Sequence, residues 1–233
     1  MRVLHWTLIA VACTLALAGC KKKPAEAEHP ATAAQAQPAP AATAAATPAP
    51  QPQAEPTQEQ RRAAEAKAKL DYATMEDGYI NDPKAQWASS ARASSAFNET
   101  PEKAKENPQA SRAWYTTGAP DGKQWMQLHQ DIGMDWIELS YAQPINATQV
   151  RAVLTSGDAV RSIAKVELID EGGAAQAVWS GVSDVAPEKR GNRTWFVKSF
   201  PKTAAKIKAV KLTFANAVSS GYKEVDAVQL VGE

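Results

Sequence analysis

Cysteine is nearly missing from this 233-residue chain: it occurs twice, at Cys13 and Cys20, and never again. From Lys21 onward the sequence can build no disulfide, no thiolate nucleophile and no cysteine-ligated metal site. Histidine is almost as scarce, with His5, His29 and His129 as its three members. Past the early segment only His129, in QLHQD, remains. That excludes a zinc site of two or three imidazoles and leaves any Ser-His-Asp triad dependent on one ring. Charge of one sign is lacking too, since 26 Lys and Arg oppose 25 Asp and Glu for a net charge of +1. Such a balance gives no support for nucleic acid binding. Long apolar runs are confined to WTLIAVACTLALA, starting at Trp6, and its roughly dozen residues fall short of the ~20 that span a bilayer. The residues for catalysis are absent, so the sequence predicts no enzyme.

What is present begins with that run. Arg2 precedes it and LAGC ends it at Cys20. A positive start, an apolar stretch and small residues before a cysteine resemble the signal peptide and lipobox of bacterial lipoproteins. The resemblance implies a signal peptide over 1–19, cleavage before Cys20, and acylation of that cysteine as a membrane anchor. Each buried methylene then contributes about 0.8 kcal/mol to anchoring. Lys21, Lys22 and Lys23 follow and suit anionic head groups. Lys21 after the cysteine favours, in such families, the outer membrane of a bacterial envelope.

Residues 20–56 form a linker. From Pro24 to Pro56 there is no aromatic and no branched aliphatic residue, so the segment buries too little to offset its ordering entropy. Its repeated prolines favour extended conformations. Thr57 and Gln60 in TQEQ have capping-box spacing, and RRAAEAKAKL follows. These residues predict a helix over 57–76, solvated along much of its length, and no sustained apolar heptad argues for a coiled coil.

Residues 77–233 are long enough for one domain with a real core. Short runs of period two recur: QWMQL, DWIELSY, ATQVRAVL, IAKVELID, QAVWSG, RTWFVKSF, AVKLTF and EVDAVQL. Turn signals such as APDG, QPIN, EGG, RGN and SSG separate them, and EGG reads as a hairpin turn. The pattern predicts an all-β domain, a sandwich or a barrel.

WASSARASSAFN, WYTTGAPDG, DWIELSYAQPINATQVRAV and GYKEVDAVQLVG, in that order, resemble the discoidin or coagulation factor V/VIII type C domain, a galactose-binding-like jelly roll. The resemblance covers roughly Gln86 to Gly232. It implies a jelly-roll β-sandwich that binds through loops at one end, glycans in many relatives and lipids or proteins in others. The long charged loop FNETPEKAKENPQASRAWY departs from the family pattern.

Within this frame Trp114, Tyr115 and Tyr222 are the aromatic ligand candidates, because sugar rings stack on aromatic faces, with Arg193 as their polar companion. Trp136 and Trp195 sit inside strand patterns and read as structural. The run from Lys189 to Lys211, which holds Arg190, Arg193, Lys198, Lys202, Lys206 and Lys208, reads either as a face for an acidic partner or as a solvated sheet face. In the last strand strict alternation puts Val225, Ala227, Gln229 and Val231 on one face and Glu224, Asp226, Val228 and Leu230 on the other. Acids sharing a face with Val228 and Leu230 need a metal, a basic side chain or backbone N–H groups. The resemblance implies that Glu224 helps hold a structural calcium ion, with Asp121 as the natural second donor. A carboxylate can equally cap loop N–H groups or pair with Arg112 or Arg151, and Asp226 reads as closing a hydrogen-bonded corner. The expectation is a membrane-anchored binding module whose partner is a glycan, or alternatively an envelope protein.

Overall fold

The computed structural model describes residues 55–100, 102 and 112–233. The expected signal peptide, the Cys20 lipid and most of the linker lie outside those residues.

Helix α1 spans Gln58–Ile80. Thr57 caps it, accepting from the Gln60 N–H while the Gln60 side chain accepts from the Thr57 N–H, so two orphan donors are satisfied reciprocally. The helix outruns the expected 57–76 because Tyr72, Met75, Tyr79 and Ile80 recur at helical spacing and find a surface to cover. Residues 58–71 stay exposed apart from half-buried Ala68.

The strands are β1 Ala85–Trp87, β2 Ser90–Ala93, β3 Met134–Ile145, β4 Ala147–Leu154, β5 Ile163–Asp170, β6 Ala175–Ser180, β7 Thr194–Ser199, β8 Ile207–Ala215 and β9 Val225–Gly232. A one-turn helix, α2 Ala159–Ser162, precedes β5. One sheet has the order β1-β9-β4-β7 and the other β2-β3-β8-β5-β6, with antiparallel pairing throughout. Two antiparallel sheets around one shared core make the expected β-sandwich. QWMQL is the exception among the expected strands: Trp125 forms only an isolated bridge with Val225.

The sheets share a core that includes Trp125, Ile137, Leu139, Phe196, Leu212 and Phe214, all without exposure. A second, smaller core lies outside the four-stranded sheet. There Tyr72, Met75, Tyr79 and Ile80 of α1 cover Val153, Trp195 and Ala227. Trp195 is thus structural, as expected. Trp136 is not a core residue: it is half-exposed on the outer face of the five-stranded sheet, flanked by Arg92 at 5.4 Å and Lys211 at 4.5 Å. On that face Arg92, Glu138, Lys211 and Glu167 stand opposite one another across four strands, so the charges alternate along a cross-strand row.

Strict alternation fails in β9. Leu154 faces Val225 and Val153 faces Ala227, which leaves Asp226 as an extra residue. Beyond this bulge the register flips, so Val225 shares the main core with Val228 and Leu230 while Ala227 faces α1. A bulge re-aims the side chain it carries.

Strand direction sends the described residues of 94–100 and 112–133, with the segments 155–162, 181–193 and 216–224, to one end of the sandwich. The opposite end has shorter connections, including the EGG hairpin, where Gly173 takes φ 87° and its N–H donates to the Asp170 carbonyl.

Candidate binding site at the loop end

The loop end is tied down by polar bonds from beneath. Trp125 exchanges both backbone bonds with Val225 and donates its indole N–H to the Ser95 carbonyl at 2.8 Å. Ser94 and Ser95 each donate to Asp135 Oδ1 at 2.6 Å, and Asn216 donates to Asp135 Oδ2 at 2.7 Å. Asp135 is nearly buried. Charge-assisted bonds of this kind are short and strong, and here they join the segments on either side of the rim.

On that base stands a 3₁₀ turn, Ala113–Thr116. Ala113 and Thr116 are buried, and the Thr116 hydroxyl donates to the Ala113 carbonyl. The Gly118 N–H donates to the Ala88 carbonyl at 2.9 Å, with Gly118 at φ 83°, a conformation that suits glycine. The turn holds Trp114 outward, 42% exposed, with the Tyr115 ring centroid 4.4 Å away. Trp114 and Tyr115, two of the aromatic candidates, therefore stand side by side at the loop end. Tyr222 is paired elsewhere, edge-on to Phe97 at 4.8 Å, and Phe97 is anchored through its N–H to the Met126 carbonyl. Phe97 had no sequence signal beyond its place after β2; only the fold reveals its partner.

Arg193 does not join the platform. It reaches Glu76 of α1 at 3.5 Å and Asp226 at 3.4 Å, and its carbonyl accepts from the Tyr72 hydroxyl at 2.8 Å. It ties the helix to the bulge and is a structural cation.

The two carboxylates expected at a calcium ion are each engaged by protein groups. Asp121 accepts from the Lys123 N–H at 2.9 Å and from its ammonium at 2.7 Å, which lowers the Asp121 carboxyl below the usual range. Glu224 accepts from the Thr155 hydroxyl at 3.1 Å. Among the described residues no group of three or more His, Cys, Asp or Glu forms a metal cluster, and a lysine already supplies the positive charge at Asp121. Each of the two carboxylates thus already has a protein partner.

Asp226 closes the hydrogen-bonded corner as read from the sequence. Its oxygens accept from the Asp121 and Gly122 N–H groups at 3.2 and 3.3 Å and from Arg193. Burial raises its carboxyl, and those donors pull it back.

The basic run does not make one face. Arg190 chelates Glu188 in a bidentate pair, Lys198 lies over Trp179, Lys202 pairs with Glu233, Lys208 donates to the Glu171 carbonyl and Lys211 flanks Trp136. These cations disperse because the segment runs through a strand, a turn and a strand of the other sheet. His129 is exposed and contributes its carbonyl to Asn216.

No model of a known protein family matches the chain, and no curated protein does. Among solved structures, the AlyQ carbohydrate-binding module of family 32 in complex with 4,5-unsaturated mannuronic acid is 17% identical. That likeness covers 64% of this chain and 99% of the module, with a TM-score of 0.44. The Clostridium perfringens module CpGH89CBM32-5, in complex with GalNAc-β-1,3-galactose, is 14% identical over 64% of this chain and 96% of its own, with a TM-score of 0.41. The truncated AlyQ with its alginate lyase domain is 18% identical, at a TM-score of 0.44 over 64% of this chain, which spans 34% of that one.

Proposed function

We propose that this protein is a non-catalytic carbohydrate-binding module that engages sugar at the loop end of its sandwich. One observation carries the reading: Trp114 points outward from the 3₁₀ turn and is backed by the Tyr115 ring. An exposed indole already packed against a neighbouring ring presents a face for stacking against the apolar side of a pyranose. Catalysis is left out because the chain past Pro30 offers one imidazole and no thiol. Cys20 carries the lipid in this reading, and the module is tethered to a bacterial envelope membrane; a Cys20→Ser chain that still sediments with membranes refutes that part.

The test is a glycan array followed by tryptophan-fluorescence titration of the best hit. Trp114→Ala weakens binding by about tenfold, or ~1.4 kcal/mol, with thermal stability unchanged. Binding indifferent to Trp114→Ala overturns the reading.

A second reading has its own observation. Ile132, Met134, Val182 and Val218 are exposed large apolar residues at the same end, a property shared with protein-docking surfaces. No glycan bound on the array, with one envelope protein recovered by cross-linking through this rim, favours it.

A further inference from the structure

Lys223 has no solvent exposure, unusual for a residue almost never buried unless paired. It sits between Tyr222 and Glu224, just ahead of β9. Its ammonium donates to the carbonyls of Gln130 at 3.1 Å, Ser219 at 2.6 Å and Gly221. A lysine has three N–H donors, and all three are used. The acceptors come from two separate segments, 130 on one side and 219–221 on the other, and converge on one positive charge.

The surroundings are built for that convergence. Gln127 is buried, accepts from the Lys223 backbone N–H at 2.7 Å and turns its amide N–H groups on the Gln130 and Gly221 carbonyls at 3.2 and 3.5 Å. Gly221 takes φ 84° and donates its N–H to Asp131 at 2.9 Å. The Ser219 hydroxyl bonds to that of Ser162 at 2.6 Å. Carbonyl oxygens converging from two loops are what a hard cation requires.

We infer that Lys223 is a built-in cation: its ammonium fills an oxygen cage at the loop end and so fixes the segments that carry Tyr222 without a bound metal ion. The cage is independent of what the rim binds; only its consequence for ligand affinity rests on the proposed sugar-binding function. Lys223 is a positioning residue. Without its charge the Ser219 carbonyl loses its donor, and the Gln130 and Gly221 carbonyls keep only the Gln127 amide to join the two segments.

Lys223→Ala removes the equivalent of a propylammonium ion, so the test is chemical rescue of the full chain. Lys223→Ala lowers Tm by roughly 5–10 °C and raises amide exchange over residues 219–224. n-Propylammonium chloride restores much of both, while n-propanol and sodium chloride at equal concentration do not. Wild-type Tm is unmoved by EDTA or by added calcium. Equal rescue by n-propanol overturns the inference, because filling space would then suffice. So does a wild-type Tm that falls on chelation. Should the alanine variant fail to fold, Lys223→Met decides: full wild-type stability overturns the inference, and a loss that Lys223→Arg partly recovers supports it. Rescue of stability in a protein that binds no glycan leaves the cage standing and sinks the sugar reading alone.

Discussion

Gly191 offers the sharpest test of how α1 is held. A Cβ built there comes within 2.7 Å of Tyr72 Cζ and 2.8 Å of Cδ1, inside any tolerable carbon contact. The position is not one of the positive-φ glycines, so alanine brings steric conflict without backbone strain. The ring cannot swing away alone, because its hydroxyl is bonded to the Arg193 carbonyl and its body packs in the cluster with Trp195. Overpacking at such a site costs about 1–3 kcal/mol. Truncating the ring by Tyr72→Ala costs about 3–5 kcal/mol by analogy with other buried aromatics, and it also empties the space that the added methyl needs. The double variant therefore costs about as much as Tyr72→Ala alone, a coupling of about 1–3 kcal/mol. Denaturant unfolding of the four proteins measures this directly, and amide exchange across 58–80 reports whether the helix lifts. Equal cost of Gly191→Ala with and without the Tyr72 ring refutes the reasoning.

Two further outcomes follow from buried charge. Asp226→Ala strips the acceptor from two backbone N–H groups and from Arg193; it should cost about 2–4 kcal/mol, with exchange protection lost at Asp121 and Gly122, and a loss under about 0.5 kcal/mol in urea denaturation contradicts the corner. Glu188 is held down at about 2 from an ordinary 4.5, chiefly by the Arg190 side chain and then by the N–H groups of Arg190 and Lys189. A depressed carboxylate stabilises above its unfolded value and loses that contribution as pH falls through its folded one. Glu188→Gln should therefore lower Tm by about 2–4 °C at neutral pH, the gap closing between pH 4.5 and about 2; a gap constant across a pH series of melts rules the pairing out.

Much of the fold was legible because its signals are local. The TQEQ cap needs only that one short stretch, and β4 and β5 coincide with ATQVRAVL and IAKVELID because short runs rich in apolar and β-branched residues, bounded by turn residues, write strands into sequence. That Trp114 and Tyr115 stand together was legible because they are neighbours in the chain. What was missed depends on distant partners. Arg193 is claimed by Glu76, a helix residue far earlier in the chain. The Asp226 bulge exists only in the pairing of β9 with β4, and a single-strand pattern carries no trace of an inserted residue. Lys223 resembles any solvated lysine until three carbonyls close on it.

The course of α1 sets a further condition on anything the rim recognises. The helix meets the sandwich at Gly191 and Arg193, beside the long segments, and finishes near Lys84 and Gly232 at the far end. Its unpacked portion, 58–71, extends about 20 Å at roughly 1.5 Å per residue. The described part of the polypeptide thus starts at the loop end, as a mast rises beside a hatch. If the loop end binds sugar as proposed, a bulky polymer reaching it shares that end with the protein's own leading helix, so shortening α1 ahead of Leu70 should open access to larger ligands while leaving small sugars unaffected.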